Sequence, residues 1–283
     1  MTGERGNRVV GVLGGMGPLA TADFYRKLVH LTPARIDQDH LRVIIDSNPK
    51  IPDRTAALRG EGPDPTPALV ATAQALERAG ADLIAIPCNS AHAFLPAIRE
   101  SVRVPVLDIM AEVAAAAAAM TPRPRAAGLL ATDGTVETRL YHRALAGRGI
   151  EVVDTTAPEQ ARVTAAILAV KAGDLGPAGR EHVRAVAAAL AARGAQVIVL
   201  GCTEIPLVTD PDELPVPVLD GTEILAAAAV REAVSADPPA EEFPVGGRRI
   251  TRLPPPGETP APGRTYDGAG KPNAGSSEPA RRS

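Results

Sequence analysis

Cys88 and Cys202 are the only cysteines in this chain of 283 residues, and both end apolar runs of one pattern. The runs are G-A-D-L-I-A-I-P-C-N at 80–89 and G-A-Q-V-I-V-L-G-C-T at 194–203, with each cysteine eight residues after its glycine. A short apolar run behind a glycine reads as a buried strand of a parallel sheet, and ligands of such sheets lie outside the carboxyl ends of the strands. Both thiols fall there. Forming a thiolate at pH 7 from a free thiol of pKa roughly 8.5 costs about 2 kcal/mol. The N–H groups and dipole of a helix starting just after each cysteine are expected to close that gap. A single cysteine at a strand end reads as a small buried hydrophobe. Two at equivalent places point instead to acid–base work.

If the two strands belong to halves related by an approximate two-fold axis, the thiols face each other across one cleft. One thiolate removes a proton from one face of a carbon, the opposite thiol delivers a proton to the other face, and the centre inverts. The α-proton of an amino acid is weakly acidic, so the carbanion-like state needs donors at its carboxylate and exclusion of water. Asn89 and Ser90 after the first cysteine, Thr203 after the second, and Thr132 are the candidate donors. The bland role of each is helix capping.

The elements that must position these groups alternate strand and helix, which predicts an α/β fold with parallel sheets. Strands are expected at Val9 to Leu13, Val43 to Asp46, Leu83 to Ile86, Val104 to Leu107, Ala126 to Leu130, Val152 to Asp154, Val197 to Leu200 and Val216 to Leu219. They fall into two sets of four that echo each other. R-V-V-G-V-L-G-G-M-G at 8–17 answers R-A-A-G-L-L-A-T-D-G at 125–134, with Tyr25 and Tyr141 opening the helix that follows, and V-P-V-L-D recurs at 104–108 and 216–220. Gly11 and Gly128 stand 117 residues apart and the cysteines 114, one repeat length with small loop changes. Such spacing reads as an internal duplication. It predicts two pseudo-symmetric lobes, each a four-stranded parallel sheet flanked by helices, with the site in the cleft between them. The first lobe spans 1–118 and is completed by about 215–236; the second spans 119–214. Residues 237–283, rich in Pro and Gly, are expected to form a disordered tail. G-E-G-P-D-P-T-P at 60–67 reads as a mobile lid or an ordinary surface loop.

Composition removes several function classes. Lys and Arg number 30 against 33 Asp and Glu, with no basic block and six aromatic residues, so nucleic acid is not an expected partner. No run reaches the roughly 18 apolar residues of a membrane span, and the polar start predicts a cytosolic protein that does not engage a membrane. G-M-G-P-L-A at 15–20 fits a dinucleotide fingerprint, which would suit an NAD-binding oxidoreductase, but it leaves the paired cysteines unexplained. Cys88 and His92 stand at helical spacing, yet two ligands fall short of the four of structural zinc, so no metal is expected.

The motifs G-V-L-G-G-M-G-P-L-A-T-A-D, I-P-D-R-T, P-C-N-S-A-H and G-C-T-E-I together resemble the aspartate/glutamate racemase family, close to its aspartate racemase branch, over roughly residues 8 to 235. The resemblance implies a cofactor-independent amino-acid racemase of two pseudo-symmetric lobes, without pyridoxal phosphate, with Cys88 and Cys202 as its catalytic pair. It further implies that Arg54 and Lys171 bind the acidic substrate, most directly aspartate. Glu204 stands where glutamate racemases usually have histidine, and the Asp-Ser pair of their first loop is absent. Isomerases and decarboxylases of other small dicarboxylates share the fold. The expected assembly is a homodimer.

Overall fold

A computed structural model describes residues 7–234. Strands β1 (Val10–Gly14), β2 (Val43–Ser47) and β3 (Leu83–Ala85) form one parallel sheet in the order β2-β1-β3. Strands β4 (Ala126–Ala131), β5 (Glu151–Val153), β6 (Val197–Gly201) and β7 (Val218–Asp220) form a second, in the order β5-β4-β6-β7. In the first half the helices are α1 (Pro18–Leu31), α2 (Arg54–Leu58), α3 (Thr66–Arg78), α4 (Leu95–Ser101) and α5 (Ile109–Ala119). The second half carries α6 (Asp133–Glu137), α7 (Leu140–Ala146), α8 (Ala157–Lys171), α9 (Pro177–Ala192) and α10 (Gly221–Ala233).

The duplication is visible in the register. Gly11 of β1 lies opposite Ile84 of β3, and Gly128 of β4 lies opposite Ile198 of β6. A Cβ on Gly11 would stand 2.8 Å from Ala81 Cβ, and one on Gly128 2.8 Å from Ile198 Cδ1. Both halves therefore need glycine at the same point of the ladder. Alternation along the strands sends Val10, Val12, Leu83 and Ala85 of the first sheet and Leu129, Val197 and Val199 of the second into one shared core, which α1, α5, α7 and α10 fill. The opposite faces pack separately, under α3 and α4 in the first half and α8 and α9 in the second. Both faces of each sheet are thus covered, as parallel sheets require.

Two details depart from the sequence expectation. Val104 to Leu107 is reduced to an isolated parallel bridge between Ile84 and Val106, so the first sheet has three strands. Pairing with that segment is confined to Ile84, whose N–H donates to the Pro105 carbonyl at 2.8 Å and whose carbonyl accepts from the Leu107 N–H at 2.9 Å. The match of Tyr25 to Tyr141 is off by one: Tyr25 is 44 % exposed, while Phe24 is fully buried in the shared core beside Tyr141. Phe24 keeps the 117-residue offset of Gly11 and Gly128, so the helix face, not the residue type, preserves the repeat. Residues 59–65 form a turn between α2 and α3 in which a Cβ on Gly62 would lie 2.9 Å from Ala56 Cβ. That segment contributes nothing to the pocket below.

Residues 215–234 touch both halves, with β7 paired to β6 and α10 packed on α1 and α5. At the end of β7, Asp220 caps α10 and accepts from buried Lys27 of α1 at 2.6 Å, and Asp23 meets the same ammonium at 2.7 Å. Burial alone would lower the Lys27 pKa, but the two carboxylates outweigh it and raise it. No described helix is long and apolar enough to cross a membrane. The expected tail, 237–283, lies outside the described residues.

Candidate active site

At the carboxyl ends of β1, β3, β4 and β6 a small pocket of about 290 Å³ is lined from both halves. All eight residues singled out in the sequence line it: Cys88, Asn89, Ser90 and Arg54 from the first half, and Thr132, Lys171, Cys202 and Thr203 from the second. Glu204, Asp53, Thr55, Met16, Thr135 and Gly201 complete the wall. A wider groove of about 1110 Å³ opens beside the pocket and shares Met16, Asp53, Arg54, Lys171 and Glu204 with it.

The two thiols are both buried, but their neighbours differ. Cys88 Sγ lies 3.6 Å from the hydroxyl of Ser90. Cys202 Sγ donates to Glu204 Oε2 at 3.0 Å. The same oxygen accepts from Thr203 Oγ1 at 3.2 Å, and Glu204 Oε1 accepts from the Gly17 N–H at 3.0 Å. Burial and then the Glu204 carboxylate push the Cys202 thiol well above the ordinary thiol range. This corrects the expectation of a facilitated thiolate there. The chain after Cys202 forms a single 3₁₀ turn, Ile205–Val208, and that after Cys88 another, Ser90–Phe94, so neither cysteine faces the start of a long helix. Dipole support is correspondingly small, and at Cys202 a buried carboxylate opposes it.

Two residues that line the pocket each carry a buried nitrogen with no protein partner. The Arg54 guanidinium is held by Nη1, which donates to the carbonyls of Ile51 at 3.2 Å and Pro52 at 2.8 Å, while Nε is unpartnered. Its position follows from the short helix α2, whose N-cap Asp53 accepts from the Ala56 N–H at 2.9 Å. Burial alone would raise the Asp53 carboxyl; the Ala56 N–H and Lys171 hold it below its usual range. Asn89 places Oδ1 against the Tyr141 hydroxyl at 2.6 Å and leaves Nδ2 unpartnered and buried. Unpaired buried donors cost roughly 1–3 kcal/mol each, so two of them in one cavity mark where an acceptor belongs.

The remaining anticipated residues are placed with their partners. Lys171 ends α8 and reaches Asp53 across the cleft at 4.0 Å, with about a third of its side chain exposed. Thr132 lines the pocket and also caps α6, accepting from the Thr135 N–H at 3.3 Å. Capping and pocket lining therefore coincide in that residue. His92 uses both ring nitrogens structurally, Nδ1 with the Cys88 carbonyl at 2.9 Å and Nε2 with the Ile109 N–H at 3.2 Å. Burial lowers its pKa, which suits the neutral ring that this pattern requires. No group of three metal-ligating side chains occurs among the described residues. The Gly17 N–H that a bound phosphate would use is occupied by Glu204.

Sequence reasoning noted Glu204 only as a family difference and did not assign a partner to Tyr141. Glu204 meets Gly17 across 187 positions of chain, and Tyr141 meets Asn89 across 52. The one available signal was the repeat offset itself, which pairs Tyr141 with Phe24 in the shared core.

Comparison with known proteins identifies the family. Residues 13–229 match the model of the Asp/Glu/Hydantoin racemase family. The broad specificity amino-acid racemase RacX of Bacillus subtilis is 29 % identical over 232 residues, covering 78 % of this chain and 96 % of that protein. Picrophilus torridus aspartate racemase superposes with a TM-score of 0.72 at 31 % identity, over 80 % of this chain and 94 % of that one. Glutamate racemase from Francisella tularensis, solved with D-glutamate, shares the fold at a TM-score of 0.56 and 18 % identity, over 78 % of this chain and 79 % of that one.

Proposed function

This chain belongs to the Asp/Glu/hydantoin racemase family and is a PLP-independent amino-acid racemase, and from that premise we propose that it inverts an acidic amino acid, aspartate most directly, with Cys88 and Cys202 as opposed acid and base. The observation that carries this reading is the pair of buried, unpartnered donors, Arg54 Nε and Asn89 Nδ2, in the cavity that both thiols line. A guanidinium whose Nη1 is tied to two carbonyls still presents Nε to a carboxylate, and a planar fork suits that anion. Lys171 adds a second cation from the opposite half. The aspartate racemase of Picrophilus torridus, similar over most of both chains, supports the same substrate.

In the direction that the resting hydrogen bond prepares, the Cα–H bond breaks toward Cys88, whose sulfur gains the proton. Cys202 gives its S–H proton to the opposite face and is left as thiolate. The reverse turnover exchanges these roles. Glu204 sits between Cys202 and the wider groove, lining both. It is the group through which the Cys202 proton can be restored between turnovers. Ser90, Thr203 and Thr132 supply hydroxyls around the carboxylate.

A second reading, broader specificity, rests on the groove that adjoins the pocket at Arg54 and Lys171, and on the similarity to RacX. Incubating the protein without cofactor in heavy water with L-aspartate, L-glutamate and L-alanine separates the two. Aspartate alone should racemise rapidly and carry deuterium at the α-carbon. Comparable rates on alanine would favour the broader reading, and dependence on pyridoxal phosphate would overturn both.

A further inference from the structure

We propose that Tyr141 is a positioning residue whose hydroxyl fixes the carboxamide of Asn89 so that Nδ2 faces the pocket as a carboxylate donor. The inference rests on the racemase reading only for the identity of the carboxylate. Tyr141 is fully buried, and its hydroxyl donates to Asn89 Oδ1 at 2.6 Å. Were the amide turned over, Oδ1 would face the pocket and repel an anion, while the buried hydroxyl proton would lose its acceptor.

The phenol cannot escape its role as donor by ionising. Burial raises its pKa, and the nearby Asp220, Asp108 and Cys202 raise it further. Room for the ring is kept by two glycines, since a Cβ on Gly201 would stand 3.0 Å from Tyr141 Cε2 and one on Gly221 3.2 Å from Oη. Tyr141 belongs to the second half and Asn89 to the first, so the bond also carries information across the cleft. Its counterpart in the repeat, Phe24, has no hydroxyl, and Thr203 in the position of Asn89 turns to Glu204 instead. The hydroxyl is an addition to one half of the duplication, and it serves only the Cys88 side.

A double-mutant cycle tests this, using Tyr141→Phe, Asn89→Ala and the pair together. The readout is calorimetric binding of racemic aspartate, which undergoes no net turnover, with malonate as a second probe. Tyr141→Phe should weaken binding about tenfold in the wild-type background and by less than about twofold once Asn89 is alanine, because the hydroxyl acts through the amide. In kinetics the loss should appear in KM more than in kcat. Equal weakening in both backgrounds would overturn the inference and leave the racemase reading intact. The expected coupling without racemisation would do the reverse. Failure of the wild type to bind either acid would overturn both. Should Tyr141→Phe fail to fold, Asn89→Asp, which keeps an acceptor for the Tyr141 hydroxyl but offers the pocket no donor, should weaken malonate binding at least as much as Asn89→Ala, and undiminished binding would overturn the inference.

Discussion

The halves around Cys88 and Cys202 share a strand order, a glycine at the same rung and a cysteine at the same strand end, yet they surround the thiol with different chemistry. Beside Cys88 stand a neutral hydroxyl, Ser90, and a carboxamide locked by Tyr141. Beside Cys202 stands a buried carboxylate that already accepts the thiol proton. On the proposed two-thiol mechanism, the duplicated fold would supply the symmetry of inversion and the residues beside each thiol would break it. Because the two enantiomers of a substrate have equal energy in water, kcat/KM must be equal in the two directions. The asymmetry can therefore appear only in kcat and KM taken separately, and in their pH profiles.

The largest effect that would test the comparison comes from the thiols. Cys88→Ala and Cys202→Ala should each reduce racemisation by about 10²–10⁴-fold, the range of a positioned acid or base. A circular dichroism melt should stay close to wild type, and a variant with near-normal turnover would reduce its thiol to a packing residue. Next comes Arg54→Ala, for which roughly 2–4 kcal/mol should be lost from kcat/KM on aspartate. Alanine as substrate should lose much less, whereas equal losses would mean that Arg54 supports the α-carboxylate or the fold.

Glu204→Gln is the third perturbation and the one that sharpens the comparison most. The carboxylate and burial both raise the Cys202 thiol. The amide removes one of those causes, so the thiol pKa falls. In the direction where Cys202 takes the proton, the limb of kcat that rises with pH should start above the free-thiol value of roughly 8.5 in wild type and move lower in the variant. Profiles of kcat against pH for each enantiomer measure it, and an unmoved limb would detach Glu204 from the thiol. Smallest is Ser90→Ala, which removes a long contact of 3.6 Å to Cys88 and should cost less than about 1.5 kcal/mol in kcat/KM. Should Ser90→Ala and Glu204→Gln cost the same, the halves would be chemically alike despite their composition.

The repeats, the strands and the pocket residues were legible because they rest on local signals: apolar runs ending at a glycine or cysteine, and the I-P-D-R-T motif around Arg54. What escaped depended on contacts distant in sequence or on a helix face. Tyr25 looked like the match of Tyr141 by residue type, but the face that points to the core belongs to Phe24. Val104 to Leu107 looked as strand-like as Val216 to Leu219, yet it keeps one bridge to Ile84 where Val218–Asp220 pairs with three residues of β6. Placement of each cysteine before a helix suggested an easy thiolate, while the residue that sets the proton on Cys202 was Glu204, whose carboxylate is held by a backbone N–H of the other half. The eight pocket residues could be read from the chain; their partners could not.

The central claim is that each thiol serves one face of the same carbon, and exchange of the α-hydrogen in heavy water by the single-cysteine variants tests it most directly. Cys202→Ala retains Cys88 and should wash deuterium into one enantiomer of aspartate without inverting it, and Cys88→Ala should do so with the other enantiomer alone. Exchange of the same enantiomer by both variants, or exchange by neither while wild type racemises, would contradict the account.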